Sequence, residues 1–280
     1  MDIESRISLL DRFRGCLLGQ AVGDALGAPF ETMPADAIYY GFGSVRKIVA
    51  RPPVEVLQYT DDTQMMIGVA EVLAEHGRMA AKTMFPGGSF GNGSAMRAAP
   101  VGLMFHDDLD RAAHEAELSS MPTHAHAIAI DGARAVAVGV AVAMWPDFGL
   151  RSFYDEILRH TFTAEFKEAL SRAAELSATD YLGELGTSLE AHRSVPTAIA
   201  CFASHPNSYT EAIARAIALG GDVDTMAAMA GAISGARLGI GAIPQHLLAI
   251  LENGGKGRDY IDTLAGRLHG NFVSGAGRKF

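Results

Sequence analysis

The sequence predicts an all-α fold, a single multi-helix globular domain over residues 1–280. Three observations carry that expectation. Apolar residues recur at helical spacing in one segment after another, convincing alternating strand runs are missing, and glycine and proline punctuate the segments. An apolar fraction of 49% and a charged fraction of 20% suit a chain with a substantial core.

Taken in order, residues 9–28 have the 3.6-residue period of a helix, with glycines at 15, 19, 23 and 27. Glycines four apart share one helix face, so they draw a smooth stripe for close approach of another helix or a ligand. Residues 32–57, with Pro34, Pro52, Pro53, Gly41 and Gly43, read as an irregular loop. From Thr63 to Glu75 the residues Met65, Met66, Val69, Val72 and Leu73 keep helical spacing, and Gly77 is a plausible stop. A glycine-rich turn follows over 85–94. Further helical patterns occupy 95–104, 109–119, 124–144, 151–176, 194–203, 209–219, 225–238, 244–253 and 260–268.

The net charge of −9 leaves no broad basic face, which argues against general nucleic-acid or anionic-membrane binding. Two apolar stretches, 15–30 and 125–145, are interrupted by Gln20 and Asp24 and by His126, Asp131 and Arg134, so both read as buried helices rather than spans. The N-terminus has no signal-type pattern. The two cysteines, Cys16 and Cys201, read as buried free thiols of a reducing, cytoplasmic setting.

Function is most legible in two short clusters, Tyr59-Thr60-Asp61-Asp62-Thr63 and Gly220-Gly221-Asp222-Val223-Asp224-Thr225. Each interleaves carboxylates with threonine hydroxyls just ahead of an apolar helical stretch. Hard oxygen ligands of this kind suit Mg²⁺ or Mn²⁺. Threonine and aspartate are also favoured N-caps, so either cluster alone is explained by capping. A cap needs only one oxygen, and each cluster supplies several. Should the fold bring both together, cations would offset the repulsion. The stretch Gly87 to Ser94 offers many amides with little bulk, either an anion nest or an ordinary flexible loop; it is neither a Walker A loop nor a dinucleotide fingerprint. His124 and His126 are too close on a helix to share a ligand, and each suits either a pocket wall or a helix start.

Five ordered segments together resemble the ADP-ribosylglycohydrolase family. They are Gly15-Cys16-Leu17-Leu18-Gly19 through Gly23-Asp24-Ala25-Leu26-Gly27-Ala28-Pro29-Phe30-Glu31; Tyr59-Thr60-Asp61-Asp62-Thr63-Gln64; Gly91-Asn92-Gly93-Ser94-Ala95-Met96-Arg97-Ala98-Ala99-Pro100; Thr123-His124-Ala125; and Gly220-Gly221-Asp222-Val223-Asp224-Thr225. The resemblance implies an all-α hydrolase with a two-ion Mg²⁺ centre held by Thr60, Asp61, Asp62, Asp222, Asp224 and Thr225; Mn²⁺ is the alternative metal. It implies catalytic roles for Glu31, Asp61 and Asp62, with Glu31 or Asp62 taking the proton from water. It places diphosphate and distal ribose along Gly87, Gly88, Ser89, Phe90, Gly91, Asn92 and Gly93, with His124 contacting the ligand.

The activity implied is cleavage at C1″ of ADP-ribose attached to a protein side chain or small molecule, by a monomer. Two other uses of the same fold stay open: an ADP-ribose-binding or structural member without hydrolysis, and a Mg²⁺-dependent phosphohydrolase of nucleotide diphosphates. One departure stands out. In the family a longer helical stretch usually precedes the Gly-Asn-Gly loop, and here only residues 78–85 fill that gap.

Overall fold

A computed structural model describes residues 7–79, 88–179 and 181–275. Fourteen α-helices are found among them: α1 Leu9–Gly27, α2 Ala35–Phe42, α3 Val45–Ala50, α4 Asp61–His76, α5 Ala99–Met104, α6 Leu109–Ser120, α7 Ala127–Ala143, α8 Leu150–Arg159, α9 Ala164–Leu176, α10 Ala191–Ser204, α11 Tyr209–Ala218, α12 Val223–Leu238, α13 Gln245–Ile250 and α14 Arg258–Ser274. Pairing between extended segments is confined, among the described residues, to three isolated bridges. The all-α expectation is met. Among the same residues no helix is long and apolar enough to cross a membrane.

α1 lies at the centre. Every residue from Gly15 to Gly27 is buried. The glycine stripe explains how. α12 runs antiparallel along it, backbone against backbone: a Cβ added at Gly15 would lie 2.4 Å from the Gly235 carbonyl oxygen, at Gly19 2.6 Å from that of Gly231, and at Gly23 2.2 Å from that of Ala227. No side chain fits between the two helices. α7 is a second deeply buried helix, packed on α5, α6, α8, α10 and α12, while α11 flanks α12 and α14 covers α1 and α4. The antiparallel pairing places the C-terminal end of α1 beside the N-terminal end of α12. The start of α4 meets the same point.

Residues 32–57 are not irregular throughout: they contain α2 and α3. Here the punctuating residues delimit short helices instead of preventing them. Pro34 is the N-cap of α2, Gly43 ends it at φ 76°, and Ser44 opens α3. The stretch 151–176 is likewise two helices, not one. The buried carboxylate of Asp131, on α7, accepts from the amides of Phe162 and Thr163 and from the Thr163 hydroxyl, at 2.9, 2.7 and 2.8 Å, so the chain stops and restarts there. That cap comes from another helix and has no local signature.

The stripe generates a stability prediction. Ala at position 23 gains up to about 1 kcal/mol of helix propensity and loses about 1–3 kcal/mol to overpacking. Gly23→Ala is therefore expected to be net destabilising in urea unfolding. Gly266→Ala, where the added methyl meets nothing within 4 Å, is expected to be neutral or stabilising. Equal effects at the two positions would contradict the close approach.

Candidate active site

The Gly220-Gly221 turn delivers the second acidic cluster. Both residues sit at positive φ, 70° and 81°, and a Cβ on Gly221 would fall 2.3 Å from the Thr187 hydroxyl oxygen. Only glycine suits that backbone in that space. The turn is pinned on both sides: Thr32 donates its amide to the Gly221 carbonyl and Gly221 to that of Met33, each at 2.9 Å. This pairing fixes Glu31 beside Asp222. It also holds Thr32 at φ 65°, an unusual conformation for a β-branched residue.

The first cluster is held by a residue to which the sequence reading gives no role of its own. Asp24, fully buried in α1, accepts from the Thr60 amide at 3.0 Å and hydroxyl at 2.9 Å, and from the Thr63 amide at 3.0 Å and hydroxyl at 2.6 Å. It caps α4 from outside. Thr60, the N-cap by position, makes no side-chain capping bond, and Asp222 makes none to the first turn of α12. The carboxylates of the two clusters are thus left for another use. A carboxylate in the glycine-striped half of the helix, residues 15–27, whose only other polar side chain besides Cys16 is Gln20, is the signal that could have singled out Asp24.

A cavity of about 390 Å³ gathers Glu31, Asp61, Asp62, Ser89, Gly91, Asn92, Gly93, His124, Asp222, Asp224 and Thr225. Thr60 contacts it through Asp24 and Asp62, to which its hydroxyl lies at 2.9 and 3.3 Å. Of the expected ligand contacts among the described residues, Gly88 and Phe90 do not line the cavity. Gly87 lies outside the described residues. Gly88 packs on the Ala125 backbone, and Phe90 turns outward, half-exposed, with its ring 5.9 Å from that of His126. Asn92 lines the wall, but its amide donates to Asp222 Oδ2 at 2.5 Å and to the Ser194 hydroxyl at 2.8 Å. The side chain of Asn92 thus braces the acidic floor. His126 is the N-cap of α7, accepting from the Ile128 amide at 3.3 Å, while His124 faces the cavity.

Residues 187–190, with no motif to mark them, line an adjoining pocket with Glu31 and Asp222, and Leu189 also lines this cavity. The Thr187 carbonyl accepts from the Asp222 amide at 2.8 Å and the Leu189 carbonyl from the Asn92 amide at 2.9 Å.

The carboxylates crowd. Single oxygens of Asp24, Asp62 and Asp224 lie within 4.8 Å of one another, and so do those of Glu31, Asp222 and Asp224. Asp224 belongs to both sets. Burial, then the Asp222 charge, pushes the Asp224 carboxyl up to about 7; burial pushes Asp24 up to about 6 against the opposing hydrogen bonds of Thr63 and Thr60. Burial and four acidic neighbours, Asp24 foremost, raise Asp62 well above the carboxylate range. Among the described residues, Asp62 Oδ1 and Asp224 Oδ1 are buried without a hydrogen-bond partner. Orphaned anionic oxygens in a hard-oxygen set are what a divalent cation satisfies. The residues fit such an ion.

The family model for ADP-ribosylglycohydrolase matches residues 5–85 and 77–277. This chain belongs to the ADP-ribosylglycohydrolase family. A protein of Archaeoglobus fulgidus described as uncharacterized is 32% identical, over 92% of this chain and 96% of its own. The ADP-ribosylhydrolase ARH3 of Danio rerio is 30% identical (94% and 91%), and that of Homo sapiens 28% (93% of each). A solved structure titled ADP-ribosylglycohydrolase-related protein complex superposes with a TM-score of 0.73 at 26% identity, covering 93% of this chain and 98% of that one. The family match breaks in two at residues 77–85, where the sequence is short before the Gly-Asn-Gly loop. The alignment with the Danio rerio protein spans 344 positions against 280 residues here, so that relative carries insertions.

The raised carboxyls fix a pH dependence. A group that holds its proton more tightly when folded favours folding at low pH, and loses that advantage as pH climbs from the ordinary aspartate value of 3.8 through about 6 and about 7. The cation-free protein is expected to lose this contribution between about pH 4 and 7. A divalent cation added in a thermal-shift assay is expected to raise Tm more at about pH 7.5 than at about pH 5. Equal shifts at both would place cation binding elsewhere.

Proposed function

We propose that this protein is a Mg²⁺-dependent hydrolase that cleaves the glycosidic bond at C1″ of ADP-ribose carried on a protein side chain or small molecule, releasing ADP-ribose. The observation that carries this reading is one cavity with an acidic floor (Asp61, Asp62, Asp222, Asp224, Thr225) and a glycine-rich wall (Ser89, Gly91, Asn92, Gly93) in a member of this family. The ADP-ribosylhydrolase name of the ARH3 relatives supports the same substrate class.

The residues divide the work. Asp61, Asp62, Asp222, Asp224 and the Thr60 and Thr225 hydroxyls are the donors that would hold the ions. Two carboxylate sets sharing Asp224 support two of them. Bound there, Mg²⁺ would supply a Lewis acid that orients ribose hydroxyls and acidifies water. Glycoside cleavage passes through a state with positive charge on the sugar, and the surrounding carboxylates stabilise it. Glu31 is exposed and lines the cavity, so it is better placed than the buried Asp62 to take a proton from the attacking water. The Gly91 and Asn92 amides already donate to the Ser89 hydroxyl and the Leu189 carbonyl, so in this stretch the Gly93 amide would be the one to hold the diphosphate, a neutral donor that suits a protein with a net charge of −9. The buried free thiols Cys16 and Cys201 support a cytoplasmic setting, and we take the protein to act as a monomer.

Asp61→Asn is the cleanest test, because Asp61 is exposed and contributes little to packing. It is expected to lower ADP-ribose release by more than about 100-fold, with folding unchanged. Glu31→Gln is expected to retain ADP-ribose binding while turnover falls about 10²–10⁴-fold, the usual worth of a general base. Wild-type release by Asp61→Asn, or AMP in place of ADP-ribose among the products of the wild type, would defeat the assignment.

A further inference from the structure

Arg97 and Thr123 belong to the ordered motifs, yet neither has a part in the site as described. Arg97 is buried beneath the cavity wall. Its Nη2 donates to the Ser119 carbonyl and to the Thr123 hydroxyl oxygen, each at 2.9 Å. That hydroxyl lies 2.7 Å from Nδ1 of His124. The far edge of the ring lies over Gly93, so closely that a Cβ there would be 2.8 Å from Nε2. His124 itself lines the cavity.

The donors and acceptors on this path have one economical arrangement. A guanidinium only donates, so Arg97 occupies a lone pair of the Thr123 oxygen. The hydroxyl has a single proton, and Nδ1 is the acceptor in line for it. The reverse, with a proton on Nδ1, would aim two donors at one oxygen and leave the hydroxyl proton without an acceptor among the described residues. With Nδ1 accepting, the ring proton sits on Nε2.

We propose that Arg97 and Thr123 are positioning residues that hold His124 as a neutral Nε2–H donor facing the ligand cavity. Burial, and then the Arg97 charge, lower the pKa of the ring, which keeps it neutral. The ligand group it suits is an uncharged or anionic oxygen, such as a ribose hydroxyl or a phosphate oxygen. Glycine at position 93 leaves room for the ring edge to reach it. The ligand half of this proposal rests on the ADP-ribose reading of the site; the ring state does not.

The test uses the full chain, ¹⁵N-labelled. Long-range ¹H–¹⁵N spectra of the histidine rings, with His124 assigned from a His124→Asn sample, are expected to show the Nε2–H form in the ligand-free wild type. Thr123→Ser keeps the hydroxyl and is expected to match it. Thr123→Val keeps the shape, loses the Nδ1 hydrogen bond, and is expected to shift the Nδ1 resonance and weaken ADP-ribose binding about threefold to tenfold by calorimetry. A wild-type ring protonated on Nδ1 overturns the proposal. So does a Thr123→Val protein with wild-type ADP-ribose affinity beside a binding wild type. Absence of ADP-ribose binding by the wild type counts instead against the glycohydrolase reading, while the ring spectra still decide the tautomer.

Discussion

The whole arrangement depends on two helices whose backbones touch. With side chains between them, α1 and α12 would stand about 8–10 Å apart, as packed helices usually do. Instead carbonyl oxygens of α12 occupy the places where α1 would carry Cβ atoms. The contact continues to Gly27, whose added Cβ would lie 2.5 Å from the Asp224 Cα. The close approach therefore extends to the point where the chemistry is. Four glycines in one helix lower its intrinsic propensity, and burial on all sides offsets that loss. Gln20 extends the arrangement, donating to the Met96 carbonyl at 2.6 Å and so tying α1 to the segment that follows the glycine loop.

A second constraint opposes the first. The packing that brings Asp24, Asp62, Asp222 and Asp224 together also takes them out of water, and each carboxyl is pushed up mainly by burial. Neutral donors limit the cost: Thr60 and Thr63 for Asp24, Asn92 for Asp222, Thr225 toward Asp62 at 3.4 Å. Among the described residues, no arginine or lysine lines the cavity. A permanent cation there would neutralise the floor and compete with a bound metal ion. Hydroxyl and amide donors support the carboxylates without discharging them.

What the sequence made legible follows from how local each signal is. The two acidic clusters stand out because hydrophilic residues precede apolar helical stretches, and the glycine stripe because its period is that of the helix. The distinction between capping and ligation was not local. It turned on Asp24, 36 residues before Thr60, which relieves α4 of the need to cap itself. The break between α8 and α9 has the same origin, since Asp131 is a cap lent by α7. Residues 187–190 carry no pattern at all. Their carbonyls matter only because the fold sets them between Asn92 and Asp222. In α2 and α3, proline and glycine were legible but ambiguous: the same residues that break a long helix bound a short one.

The shortened segment before the glycine loop bears on how far the site could shift. From residue 88 onward the loop is fixed by partners that owe nothing to that segment. The Ser89 amide donates to the Thr123 carbonyl at 3.2 Å, the Asn92 amide to the Leu189 carbonyl, and the Ala191 amide to the Phe90 carbonyl at 3.2 Å. Beneath them the Asn92 side chain reaches the acidic floor through Asp222. The loop is thus clamped to the turn between α6 and α7, to residues 187–191 and to the second acidic cluster at once. Length lost upstream can reshape the rim, where an acceptor would rest, without moving the amides relative to the carboxylates. Under the proposed function, a change of length in this segment would alter which conjugates are admitted while the floor and wall keep their geometry.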